Sequence, residues 1–323
     1  MSGIPQLAHP EPNSQTDAET SSSVRSGSLR AWKAAVRPRT LLVAISPVLV
    51  GTALGIERAG AIDAVAALLV LGAALLMQVA TNMQNDVGYT VRGGEHSGTR
   101  AGLPRATANG WLSVRQVRAG ILLIGVVAFG LGLILAAYRG WPVLVIGAAS
   151  LLAALAYMGG PKPIAYTPFG ELTVFVFFGL VAVTGTEWVL TGSFGLVSVL
   201  ASMAIGGLAA AALAVNNHRD IEHDRLVGRR TFAVIVGEAG SRRLYRVLLL
   251  SPFLIVSVMA AWTRAPSLML PLLLVPIAIR LLGDFARCPP GVAFNRILFQ
   301  TFRLELWFAA LLSAGAMLVR MPH

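Results

Sequence analysis

Nine stretches of apolar residues, at roughly 40–57, 64–85, 119–138, 141–158, 170–190, 196–218, 247–263, 266–283 and 304–319, constrain this chain more than any other feature. Each is long enough, or nearly so, to cross about 30 Å of hydrocarbon as a helix. In lipid a span must satisfy its own backbone hydrogen bonds, so runs of this length read as α-helix. With 55% hydrophobic and 13% charged residues among 323, and a mean hydropathy of +0.70, the chain is too apolar for an ordinary soluble domain. The expected fold is all-α: a polytopic membrane protein with about nine transmembrane helices. Small residues, as in Gly206 to Ala212, let such helices pack closely.

Charge orients the spans. Assigning the N-terminus and the links after spans two, four, six and eight to one side gives that side 22 of the 26 Lys and Arg, and leaves Arg58, Arg139, Arg264 and Arg320 on the other. By the positive-inside rule the N-terminus is cytoplasmic, and the expected location is a bacterial cytoplasmic (inner) membrane. Because the basic residues lie in short links between apolar segments rather than on one soluble face, the net charge of +11 points to the bilayer surface and not to nucleic acid. Residues 1–28 are rich in Ser, Thr, Glu and Pro and lack the apolar core of a signal peptide, so they read as a disordered cytoplasmic tail before a membrane domain at 29–323. The single cysteine, Cys288, excludes an intramolecular disulfide framework and a Cys-rich metal site.

Two polar clusters interrupt this pattern. Span six runs out into Asn216-Asn217-His218-Arg219-Asp220-Ile221-Glu222-His223-Asp224-Arg225, and span two into Asn82-Met83-Gln84-Asn85-Asp86. If the helix of span six continues through Asp224, then Asn216, Asp220 and Asp224 project from one face. Stacked carboxylates at a helix C-terminus repel each other and meet the negative end of the dipole, each effect costing roughly 0.2–1 kcal/mol. A divalent cation removes that cost, whereas neighbouring arginines would do so in a merely solvated loop. The Asn-x-x-x-Asp spacing occurs twice, on links of the same parity, which favours two facing half-sites sharing metal through oxygen ligands. Gly-rich turns with Arg92 and Arg105 after the first cluster suit phosphate oxygens. Together these features fit a lipid diphosphate: its tail needs an apolar cavity while its head meets Mg²⁺ and arginine at the cytoplasmic edge.

Asn82 to Asp86 and Arg219 to Asp224 resemble the two aspartate-rich motifs of UbiA-type membrane prenyltransferases. Arg37-Pro38-Arg39-Thr40-Leu41 with Ser46-Pro47, Tyr157-Met158-Gly159-Gly160-Pro161-Lys162-Pro163 through Tyr166 with Gly170-Glu171, and Val215 through Thr231 resemble the branch of that family that prenylates 1,4-dihydroxy-2-naphthoate. The similarity runs from about residue 32 to 245. It implies helices around a central cavity, and Mg²⁺ held by Asp86, Asn82, Asp220 and Asp224. It also implies transfer of a prenyl group from a polyprenyl diphosphate to an aromatic acceptor in menaquinone-type quinone biosynthesis, with loss of the naphthoate carboxylate. Asn82, Tyr89, Arg92, Arg105, Asn216, Arg219 and Arg225 would face the diphosphate, and Lys162, Tyr166 and Glu171 would join Asp86, Asp220 and Asp224 in catalysis.

The chain departs from the family at Tyr89, where an Asp three residues after Asp86 is common, and at Glu95, which replaces a later Asp. A tyrosine, with a reference pKa of about 10, supplies no anionic oxygen at neutral pH without a strong shift, so Tyr89 is expected to contact the diphosphate or a metal-bound water, and the number of metals stays open. Lys162 and Tyr166 read equally well as interfacial anchors, and Glu171 as compensation of a helix dipole. His218 and His223 have no zinc-site spacing and read as loop residues or as support for the acids. Rival readings are a UbiA-type enzyme for another ring, 4-hydroxybenzoate or homogentisate, and a transporter, whose acids would lie nearer mid-span.

Overall fold

Among the described residues the first helix is α1, Leu29–Val36, capped by Ser28, whose hydroxyl accepts the backbone N–H of Ala31. The computed structural model describes residues 24–61, 63–94 and 101–319. Most of the expected N-terminal tail therefore lies outside the described residues. Its last part is docked, since the Gly27 N–H and the Ser26 hydroxyl both donate to the Trp111 carbonyl. Arg37, in the left-handed region at φ 54°, turns the chain, and a 3₁₀ turn at Pro38–Leu41 leads into α2, Leu42–Ala59.

The remaining helices are α3, Ala64–Val91; α4, Val114–Arg139; α5, Pro142–Met158; α6, Gly170–Thr191; α7, Leu196–Arg219; α8, Ile221–Leu226; α9, Phe232–Thr263; α10, Pro266–Arg287; and α11, Phe294–Met317. Among the described residues eight helical segments are long and apolar enough to cross a membrane, the first of them running from α1 through α2. The ninth expected span is α5. Its 17 residues reach about 25 Å, short of the hydrocarbon thickness. Gly237, at φ 69°, breaks α9 after its first turn, which only glycine does without strain, so the long part of that helix starts beyond it.

α7 is the central helix. From Ala201 to Val215 it is buried almost throughout, and its small side chains let neighbours approach to backbone distance. A methyl group on Gly179 of α6 would lie 2.5 Å from the Ser202 carbonyl oxygen and 2.6 Å from the Gly206 Cα. At that closest approach the middle of α6, Phe175–Val181, winds as a π-helix.

Contacts between links fix which ends share a side. Tyr89, in the last turn of α3, meets Tyr166 and Arg229, from the links after α5 and α8, at one end. At the other, Arg58 at the end of α2 pairs with the wholly buried Glu187 at 2.6 Å, and the Ser198 hydroxyl donates to the second oxygen of that carboxylate. Arg139 donates there to the carbonyls of Trp188 and Leu190. The parity read from charge thus holds in three dimensions.

Candidate active site

α3 continues six residues past the end expected for its span, so the first polar cluster is helical, and Asn82, Asp86 and Tyr89 share one buried face. In the second cluster α7 stops at Arg219 instead of running on through Asp224. Even so, the Asp220 N–H bonds to the Asn216 carbonyl and the Asp224 N–H to that of Asp220, so the one-turn spacing of Asn216, Asp220 and Asp224 survives the break.

A cavity of about 340 Å³ lies between these two helices and α2, α5 and α6. Val48, Met77, Phe177, Phe178, Val181 and Leu213 make its wall largely apolar. Its polar lining includes Arg37, Thr40 and Gln78 together with Asn82 and Asn85 from the first cluster, Asn216 from the second, and Tyr157 at the end of α5. The Asn85 side-chain oxygen is buried and accepts no hydrogen bond.

The three motif acids are held differently. Asp86, wholly buried, accepts the Ala106 N–H at 2.9 Å on Oδ2, and the Thr107 N–H at 2.8 Å and the Thr107 hydroxyl on Oδ1. It anchors the loop before α4, a task the sequence reading did not give it. Asn82 is also engaged, donating to the Val36 carbonyl and the Thr40 hydroxyl, each at 2.8 Å, and accepting from Gln78. Asp220 pairs bidentately with Arg219 at 2.9 and 2.6 Å, and Arg219 also donates to the Asn295 side chain at 2.7 Å. Asp224 accepts from Arg229 at 2.6 Å on Oδ1, while its Oδ2 is buried with no hydrogen-bond partner. Burial pushes the Asp224 carboxyl up to about 6, with Arg229 acting against that rise.

Arginines and tyrosines alternate beside these acids. The Arg105 guanidinium stands 3.7 Å over the Tyr89 ring, and the Tyr89 hydroxyl accepts from Arg229 Nη1. Arg229 lies 5.8 Å from the Tyr166 ring, over which Arg92 stands at 5.4 Å. Arg229 also donates to the Ala165 carbonyl at 3.0 Å. Burial opposes the charge of Arg229, but Tyr89 and Asp224 more than offset this, and its pKa rises. Burial likewise raises the Tyr166 phenol, against the pull of Arg229.

Other expected residues fall at varying distance from this centre. Glu171 is buried and accepts from Asn217 at 2.9 Å, with its second oxygen unbonded. Lys162 and Arg225 are exposed. The place expected for Arg225 beside the acids is taken by Arg229, which sequence reasoning treated only as one of several neutralising charges. Tyr157 was also missed as a site residue; it lines the cavity within electrostatic reach of Arg229, Glu171, Tyr89 and Asp224. His218, expected in a loop or beside the acids, packs instead between Phe285 and Phe294, ring centroids 4.7 and 5.0 Å away. Glu95 lies outside the described residues.

Among the described residues no three His, Cys, Asp or Glu side chains cluster to hold a metal by themselves. The oxygens that are present nevertheless fit a hard cation. Asp224 has an orphaned buried oxygen, Asp220 stands one turn before it, and Asn85 presents a free amide oxygen on the cavity wall. Such a carboxylate and amide set suits Mg²⁺.

Residues 44–289 match the UbiA prenyltransferase family. A 1,4-dihydroxy-2-naphthoate octaprenyltransferase from Mycobacterium tuberculosis is 33% identical over 290 residues, covering 88% of this chain and 96% of that protein. One from Escherichia coli is 34% identical over 229 residues, covering 68% of this chain and 73% of its own. Among solved structures, a UbiA homologue from Archaeoglobus fulgidus bound to DMAPP and Mg²⁺ superposes with a TM-score of 0.65 at 14% identity, over 89% of this chain and 99% of that one. The match over most of the chain, together with a cavity reached by both polar clusters, establishes that this protein belongs to the UbiA prenyltransferase family.

Proposed function

We propose that this protein transfers a prenyl group from a polyprenyl diphosphate to 1,4-dihydroxy-2-naphthoate, with loss of the carboxylate, in menaquinone-type quinone biosynthesis at the bacterial cytoplasmic membrane, its N-terminus cytoplasmic. The observation that carries the reading is a mostly apolar cavity whose polar lining draws on both motif helices, Asn82 and Asn85 from α3 and Asn216 from α7. The naphthoate is favoured over other rings because relatives of that name align over most of this chain.

Asp220 and Asp224 would hold Mg²⁺, with Asn85 and Asn216 beside them; Asp86 supports the site from behind by fixing the loop that carries Arg105. A divalent cation bound there supplies positive charge to the departing diphosphate. Arg229 adds fixed charge without reorganising, since Asp224, Tyr89 and the Ala165 carbonyl already set its plane. When the C–O bond to diphosphate breaks, the allylic cation forms in a cavity whose Phe177 and Phe178 line the wall, excluding water and offering aromatic faces to positive charge. A ring carbon of the acceptor closes the new C–C bond, and the carboxylate departs as carbon dioxide. Glu171, held by Asn217, would orient the acceptor.

The test is a panel of aromatic acceptors and prenyl diphosphates incubated with purified protein and Mg²⁺ and read by mass spectrometry. The expected product is the decarboxylated naphthalenediol with one hydrogen replaced by the prenyl group. Prenylation of hydroxybenzoate or homogentisate in preference to the naphthoate would overturn the acceptor, and no prenyl product with any ring would overturn the reaction.

A further inference from the structure

Tyr89 occupies the one position in the first motif where an acid would be expected and is absent, and the structure gives that tyrosine a definite task. It follows Asp86 by one turn on α3 and is almost fully buried. Its ring face carries the Arg105 guanidinium at 3.7 Å, and its hydroxyl accepts from Arg229 Nη1. The same Arg229 nitrogen donates to Asp224 Oδ1 at 2.6 Å, and its Nε to the Ala165 carbonyl at 3.0 Å. No bond is formed by its Nη2 among the described residues. The acid that this motif does carry, Asp86, is wholly buried and directs its carboxylate at the Ala106 and Thr107 N–H groups and the Thr107 hydroxyl.

The contribution of α3 to the polar end is therefore not a pair of metal-binding carboxylates. It is a neutral ring and hydroxyl that gather two guanidinium groups, plus one carboxylate committed to a loop. An aspartate at 89 would offer a charged oxygen to a cation; a tyrosine offers none, and positions Arg229 with one N–H-bearing nitrogen still to spend on an anion. Across the site the second motif keeps the opposite character, with Asp220 one turn from Asp224 and Asp224 Oδ2 orphaned.

We propose that Tyr89 is a positioning residue that turns the α3 half of the site from a metal-binding face into a guanidinium platform. The diphosphate is then held by a single divalent cation on Asp220 and Asp224 and, from the α3 side, by Arg229 and Arg105. This rests on the prenyl diphosphate reading above and sets how that substrate's charge is divided between metal and protein.

The experiment counts metal. Full-length protein in nanodiscs is saturated with Mn²⁺ and a thiolo analogue of geranyl diphosphate that does not ionise, and bound Mn²⁺ per chain is read by electron paramagnetic resonance. One Mn²⁺ is expected for the unaltered protein and two for Tyr89→Asp. Arg229→Gln should keep one Mn²⁺ but weaken analogue binding tenfold or more at saturating Mn²⁺, and Tyr89→Phe, which keeps the ring under Arg105 but loses the hydroxyl, should weaken it severalfold. Two Mn²⁺ in the unaltered protein overturns the proposal, and that count decides the matter even if Tyr89→Asp fails to fold; one Mn²⁺ in a folded Tyr89→Asp overturns it as well. Prenyl transfer with two bound Mn²⁺ would leave the enzymatic reading standing while this one falls, whereas absence of both analogue binding and prenyl product would remove the reading on which it rests.

Discussion

If Asp224 holds the cation as proposed, protons and metal compete for its carboxylate. Its carboxyl, raised to about 6 by burial with Arg229 opposing, is ionised above that pH and protonated below it. A metal binding there below pH 6 must first displace the proton, so the Mg²⁺ concentration for half-maximal activity should rise about tenfold per pH unit below 6 and level off above it. A titration of prenyl transfer against Mg²⁺ at several pH values checks this; a flat requirement between pH 5 and 7 would show that Asp224 is not the ligand. Asp86 makes a different prediction, because its oxygens accept two backbone N–H groups of the loop before α4. Asp86→Asn turns one acceptor into a donor facing an N–H and should cost roughly 1–3 kcal/mol of loop docking. Faster hydrogen exchange at residues 101–113 is the expected sign, together with lost activity. The acids themselves were legible in the sequence from their spacing and abrupt polarity. Their occupations were not: the loop amides that hold Asp86 lie about twenty residues downstream, and no local pattern announces them.

Among the helices, hydropathy marked every span and blurred most of the ends. Polar residues after position 85 hid the last turns of α3, because a helix that leaves the membrane keeps its backbone bonds while its side chains change character. At Asp220 the condition of a helix continuing through Asp224 is not met, because the chain pauses there. Nothing in an apolar run distinguishes a π-wound segment from an α-helix, so the middle of α6 was invisible too. Its consequence is testable at Gly179, where an added methyl would meet backbone atoms of α7 that have no rotamer to escape into. Gly179→Ala should lower stability by about 1–3 kcal/mol and reshape the wall carrying Phe177 and Phe178. Gly125→Ala on α4, with nothing within 4 Å of the new methyl, should leave thermal unfolding in detergent unchanged or slightly improved. Equal losses from both substitutions would point to a general intolerance of α-helical glycines and away from the α6–α7 contact.

Across the whole molecule the two ends do different work. The far end is closed by the ion pair of Arg58 with buried Glu187, and that acid, like the buried Glu305 of α11, drew no reading from the sequence because one charge inside a long apolar run barely alters its hydropathy. Arg58→Ala strands Glu187 without its cation, a change that costs about 3–5 kcal/mol for a fully buried pair and less here because Arg58 is partly exposed. The melting temperature should fall while the Michaelis constants of the surviving enzyme stay as they were; a selective rise in either constant would tie this end to substrate binding. At the near end, Tyr89 and Arg229 touch across 140 residues of chain, and their contact also places Asp224 and the link at Ala165. Lysine, a compact cation without a fork, would not reach the tyrosine hydroxyl, the Asp224 carboxylate and that carbonyl together, whereas it would pair with an aspartate at 89. Arg229→Lys alone should cripple turnover, and Tyr89→Asp with Arg229→Lys should recover more than the two single losses allow, which a double-mutant cycle measures. If that cycle shows the expected coupling, the geometry also limits heredity: positions 89 and 229 can exchange one pairing for the other only together or by way of a handicapped enzyme.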